Sequence, residues 1–100
     1  MGKRKVKRED YNAIKLPAGN DVIGIAKKML GDDRLMVSCQ DGNERLCRIR
    51  GKMKRRMWIR VGDIVLVSPW ETQSDIRGDI IWRYTRNQAE VLRRKGYLKI

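Results

Sequence analysis

Residues 45–60 read RLCRIRGKMKRRMWIR: eight cations and one tryptophan in sixteen residues, with no acid among them. Like charges held a few ångströms apart repel, and an unpaired one costs several kcal/mol to desolvate, so such a run faces water or a polyanion. The chemistry it offers is binding rather than bond-making. Arg48 and Arg50 project from the polar side of a short alternating strand, and Lys52, Lys54, Arg55 and Arg56 continue into the loop after it. Cations spread over a strand and a loop can meet several successive phosphates of a nucleic acid. Six of them with no acid interleaved are more than an ordinary solvated face needs. Trp58 has two readings at this stage: it stacks on an unpaired base, or it plugs the end of the fold beside Met57 and Ile59. Arg34, outward beside a turn, extends the same patch. Trp70 and Trp82 lie in or at the ends of apolar strands and are expected in packing.

Covalent catalysis has little to work with. The chain has no histidine, so no Ser–His or Cys–His pair and no imidazole ligand for a metal. It has no Walker A pattern and no G-x-G-x-x-G. Asp32 and Asp33 sit in a hairpin turn, where acids are ordinary turn formers. Cys39 and Cys47 are too few for a zinc site and read as reduced core thiols. An enzyme, a cofactor and a metal are therefore not expected. The net charge of +12 and a pI of about 10.3 favour nucleic acid or anionic lipid as partner. Lipid is the weaker choice, since the longest strongly apolar stretch, Ile64-Val65-Leu66-Val67, falls far short of a span. The N-terminal cations precede no apolar run, which argues against a signal peptide and for a cytoplasmic location.

The elements that position these residues are short. One hundred residues suit one domain. Residues 1–20 read as a flexible basic arm, with five cations in the first eight positions and turn-forming Pro17-Ala18-Gly19-Asn20. Strands follow over residues 22–30, 34–39, 44–50, 64–67 and 80–84. They are separated by Gly31-Asp32-Asp33, Asp41-Gly42, the basic loop and a polar stretch. Residues 21–84 thus read as a barrel, because closure removes the edges of so small a sheet. Thr85 and Gln88 form a capping box for a helix over 86–95, with Ala89 and Leu92 inward and Gly96 at its end, so residues 85–100 read as helix and short tail. The fold class expected is all-β with an appended helix: a five-stranded OB-fold barrel plus a C-terminal α-helix. Strand count alone also permits an SH3-like barrel.

The stretch from Arg45 to Ile59 resembles the signature of translation initiation factor 1A, a family of archaea and eukaryotes. Met29-Leu30-Gly31, Cys39-Gln40-Asp41-Gly42 and Gly62-Asp63-Ile64-Val65-Leu66-Val67 are similar to its flanking strands, and Trp70 and residues 78–84 to its archaeal branch. The resemblance covers about 21–98 and implies an S1-like OB-fold. It further implies a factor that binds small-subunit ribosomal RNA at the aminoacyl-tRNA site, steadies initiator methionyl-tRNA with other initiation factors, and favours subunit dissociation. The family's RNA contacts fall here on Arg34, Arg50, Lys52, Lys54, Arg55, Arg56 and Trp58. Eukaryotic members carry long tails, whereas residue 100 here follows soon after the helix, which puts tail-mediated partnerships in doubt. A monomer is expected. The alternatives are a cold-shock-type binder of single-stranded RNA, which would show more aromatics on one strand face, and a structural ribosomal protein.

Overall fold

The computed structural model describes residues 14–50 and 58–99. Strand β1 is Val22–Gly31, β2 Arg34–Cys39, β3 Glu44–Ile49, β4 Ile64–Pro69 and β5 Arg77–Arg83. Alternation in β2 sends Leu35, Val37 and Cys39 inward and leaves Arg34 exposed. In β3 it sends Cys47 and Ile49 inward. The strands close into a barrel in the order β1-β2-β3-β5-β4, with β4 returning to β1. Every neighbouring pair is antiparallel except β3 and β5. This five-stranded closed barrel with one helix after it is the OB-type architecture expected, and it sets aside the SH3-like alternative.

The barrel interior is filled by Ala26, Leu35, Val37, Cys39, Cys47, Ile49, Ile59, Val65, Val67 and Ile80. Gly24 also points inward. A Cβ there would lie 2.5 Å from a Val37 methyl and 2.8 Å from the Ser38 carbonyl oxygen, so β1 can pass this close only without a side chain. A second apolar cluster lies outside the barrel wall. The helix α1, Arg86–Arg94, packs Ala89 and Leu92 there with Ile23, Leu66, Tyr84 and Leu98. This explains why residues 64–67 of β4 are apolar without a break: Val65 and Val67 face the interior, while Ile64 and Leu66 face the outer cluster. A bulge in β5 assists. Val67 pairs with Ile80 but Leu66 pairs with Trp82, so the extra residue, Ile81, turns Trp82 to the outer cluster.

The ends of α1 follow the sequence closely. The Thr85 hydroxyl accepts from the Gln88 amide, and the Gln88 side chain accepts from the Thr85 amide. At the other end Gly96, at φ 87°, donates to Arg93 and Tyr97 donates to Leu92, the paired bonds of a Schellman turn. Of the expected N-terminal arm, residues 1–13 lie outside the described residues. From Ile14 onward the chain is attached: Ile14 packs on the outer cluster and the Tyr84 hydroxyl donates to the Lys15 carbonyl.

Both cysteines are buried thiols. Burial raises Cys39 above its ordinary range and pushes Cys47 up to about 12. In the unfolded chain Cys47 ionises near 9.0, so its contribution to stability is fully present below that pH and is lost as pH rises towards 12. Both thiols should resist a disulfide reagent at pH 8 and react only at the rate of global unfolding, as a denaturant series of labelling rates would show. Fast labelling in buffer would contradict a dry barrel interior.

Candidate nucleic-acid interface

The outer face of β2, β3 and β5 carries the cations. Arg34 of β2 stands opposite Arg48 of β3, and Arg48 stands beside Asp79 of β5. One row along, Leu46 lies between Met36 and Arg77. Like charges directly opposite repel, so Arg34 and Arg48 sit together at a cost unless an anion comes between them.

Asp79 is the partial answer within the chain. Its carboxylate, 15% exposed, lies 3.3 Å from Arg48 Nε and 4.0 Å from Arg50 Nη1, and it accepts from Trp70 Nε1 at 3.0 Å. The expectation of cations without a counter-ion therefore needs correcting for Arg48 and Arg50, which share one acid. The reason is topological: β3 and β5 are neighbours only because the chain crosses over, and no local spacing announces it. Arg48 and Arg50 remain 53% and 63% exposed, and ion pairs so open to solvent hold their arginines weakly. Both guanidinium groups can still turn to a phosphate.

Trp70 is the second correction. Expected in packing, it instead stands on this face just beyond β4, with the guanidinium carbons of Arg48 and Arg77 at 5.4 and 5.8 Å from its ring centre. Trp82 does pack, in the outer cluster.

Trp58 is resolved in part. Its side chain is 76% exposed, while Ile59 beside it is buried in the barrel interior. The plug is Ile59, and Trp58 is held in solvent at the end of the basic loop. Lys52, Lys54, Arg55 and Arg56 lie outside the described residues. Downstream, Asp63 accepts from the Arg60 amide at 2.8 Å and from Arg83 Nε at 3.0 Å, which fixes the loop's exit.

Arg45 departs from the rest of the run. It is 3% exposed, its guanidinium held by Asp41 at 2.9 and 3.1 Å and by the Ser74 carbonyl at 2.6 Å. Asp41 is in turn held below the usual carboxylate range by the hydrogen bonds from Arg45. This clamp joins the β2–β3 turn to the β4–β5 loop. Strand alternation could have shown it, since Arg45 shares its parity with Cys47 and Ile49. Trp70, Arg77 and Asp79, by contrast, reach the face through pairings with no signature in the sequence.

What the face can do is bind a polyanion through spread guanidinium groups, with the Trp70 indole among them. No helix among the described residues is long and apolar enough to cross a membrane. The sequence pattern described as translation initiation factor 1A / IF-1 matches residues 11–100. Translation initiation factor 1A of Methanopyrus kandleri is 52% identical over 98 residues, covering 98% of this chain and 86% of that protein. Among solved structures, the translation initiation factor 1 of the Wolbachia endosymbiont of Brugia malayi superposes with a TM-score of 0.52 at 28% identity. That match covers 66% of this chain and 78% of the other. YjeQ from Thermotoga maritima gives a TM-score of 0.54 at 29% identity over 66% of this chain; the match spans only 23% of YjeQ's length.

Proposed function

The chain belongs to the translation initiation factor 1A / IF-1 family, and we propose that it serves initiation by laying its β2–β3 face and basic loop on the RNA of the small ribosomal subunit at the aminoacyl-tRNA site. There it steadies initiator methionyl-tRNA alongside other initiation factors in the cytoplasm and favours subunit dissociation. Members of the family are translation initiation factors, not enzymes, and the work is binding. The observation that carries the reading is the outward row of Arg34, Arg48 and Arg50, together with Trp58, whose indole stays exposed while Ile59 beside it is buried. The barrel gives this row a rigid backing, the guanidinium groups take phosphates, and the indole stacks on an unpaired base of the subunit.

Six to eight phosphate contacts would make log affinity fall with log salt at a slope of about −4 to −6, at roughly 0.7 per contact for unpaired strands. Titration of labelled protein with purified small subunits from low to moderate salt measures it. A nearly flat response would remove the electrostatic grip. Chemical footprinting of the same complexes should show protection at the decoding helix. Equal affinity for random single-stranded RNA would favour the general RNA binder instead, and retention through a high-salt wash would favour a structural ribosomal protein.

A further inference from the structure

Beside Trp70 there is a hollow of about 50 Å³ lined by Arg34, Leu46, Cys47, Arg48, Trp70 and Arg77. We infer that it is a subsite for one backbone phosphate of the bound RNA, with Arg77 as the contact that closes it. The inference rests on the RNA-binding reading above and extends the RNA's path from β3 to β5.

Three strands each bring one arginine to the lining of this hollow, Arg34 from β2, Arg48 from β3 and Arg77 from β5, because the register sets them in adjacent rows; the guanidinium carbons of Arg48 and Arg77 stand over Trp70. Asp79 offsets Arg48; among the described residues, neither Arg34 nor Arg77 forms an ion pair with a carboxylate. The hollow therefore keeps an excess of positive charge. A phosphate carries charge but no base identity, so a contact here positions the strand without reading its sequence. It is also formed in advance. Trp70 is fixed through Nε1 on Asp79 and through its amide on the Arg77 carbonyl at 3.2 Å. Arg48 and Arg77 lie over its ring, which limits the freedom their side chains lose on binding. Planar guanidinium forks suit phosphate oxygens better than ammonium groups do.

The test is the small-subunit titration across salt with wild type, Arg77→Gln, Arg77→Lys and Arg94→Gln, the last removing an exposed cation from the end of α1. Arg77→Gln should reduce the salt slope by about 0.7 to 1 and lower affinity about fivefold at low salt. Arg77→Lys should restore the slope, and Arg94→Gln should leave it unchanged. Loss of affinity by Arg77→Gln with an unaltered slope would mean that Arg77 only supports Trp70, and would overturn the subsite. So would an equal change in slope for Arg94→Gln, which would reveal a diffuse charge effect. If wild type itself shows no salt-dependent binding, the functional reading fails and takes this inference with it. If wild type binds as expected and Arg77→Gln keeps its slope, the subsite alone is lost.

Discussion

Replacing Trp58 with alanine should weaken binding to the small subunit by about 1–3 kcal/mol, roughly five- to 150-fold, while moving the thermal midpoint by no more than about 2 °C. The two halves of this result come from one contrast. Trp58 is 76% exposed and the fold draws little from it, whereas Ile59 next to it fills the barrel interior. An indole left in water gains apolar and stacking contacts only when a base arrives, so its truncation should appear in affinity and not in stability. Trp58→Phe should recover part of the loss, since a smaller ring still stacks. Parallel scanning calorimetry and subunit titration decide the matter. A midpoint lowered by about 5 °C or more, with affinity unchanged, would return Trp58 to a structural role.

The opposite pattern is expected at Gly24. Gly24→Ala should cost about 2–4 kcal/mol and lower the midpoint by roughly 10–20 °C, because overpacking a closed interior forces side chains and backbone to move. The added methyl would sit 2.5 Å from Val37, which a rotamer change could relieve, but also 2.8 Å from the Ser38 carbonyl oxygen and 3.1 Å from the Cys39 Cα, which are backbone. A second strand would have to shift. The control is Gly42→Ala: at φ 96° it carries conformational strain but meets nothing within 4 Å, so its cost should stay near about 1 kcal/mol. Urea unfolding of the two variants makes the comparison. A Gly24→Ala protein as stable as Gly42→Ala would show that β1 is free to move away from β2.

Most of the architecture could be read along the chain because its signals are local. Alternation in 34–39 sets the inward face of β2, Asp41-Gly42 places the next turn, and Thr85 with Gln88 and Gly96 bound the helix. Long-range pairing is where local reading ends. The apolar run 64–67 marks a strand, but only the structure shows one side facing the barrel and the other facing the outer cluster with α1. The bulge at Ile81 inverts the side on which Trp82 appears, which strict alternation would misplace. At the interface the exposed cations of β3 were legible, while their shared carboxylate was not, since Asp79 meets Arg48 only across the parallel β3–β5 seam. Trp70 was read as packing for the same reason. Its neighbours on the face, Arg77 and Asp79, follow it by several residues and return beside it only when β5 does.

The placement of β4 between two water-free compartments has a mechanical consequence. With Val65 and Val67 seated on one side and Ile64 and Leu66 on the other, α1 cannot peel away without wetting the wall that the interior also leans on. Helix and barrel must therefore melt as one unit, and the molecule's stiffness is concentrated at β4, which pairs with neither β2 nor β3. The exposed arginines of β2 and β3 thus stand on strands whose own unfolding requires the far wall and the helix to open with them.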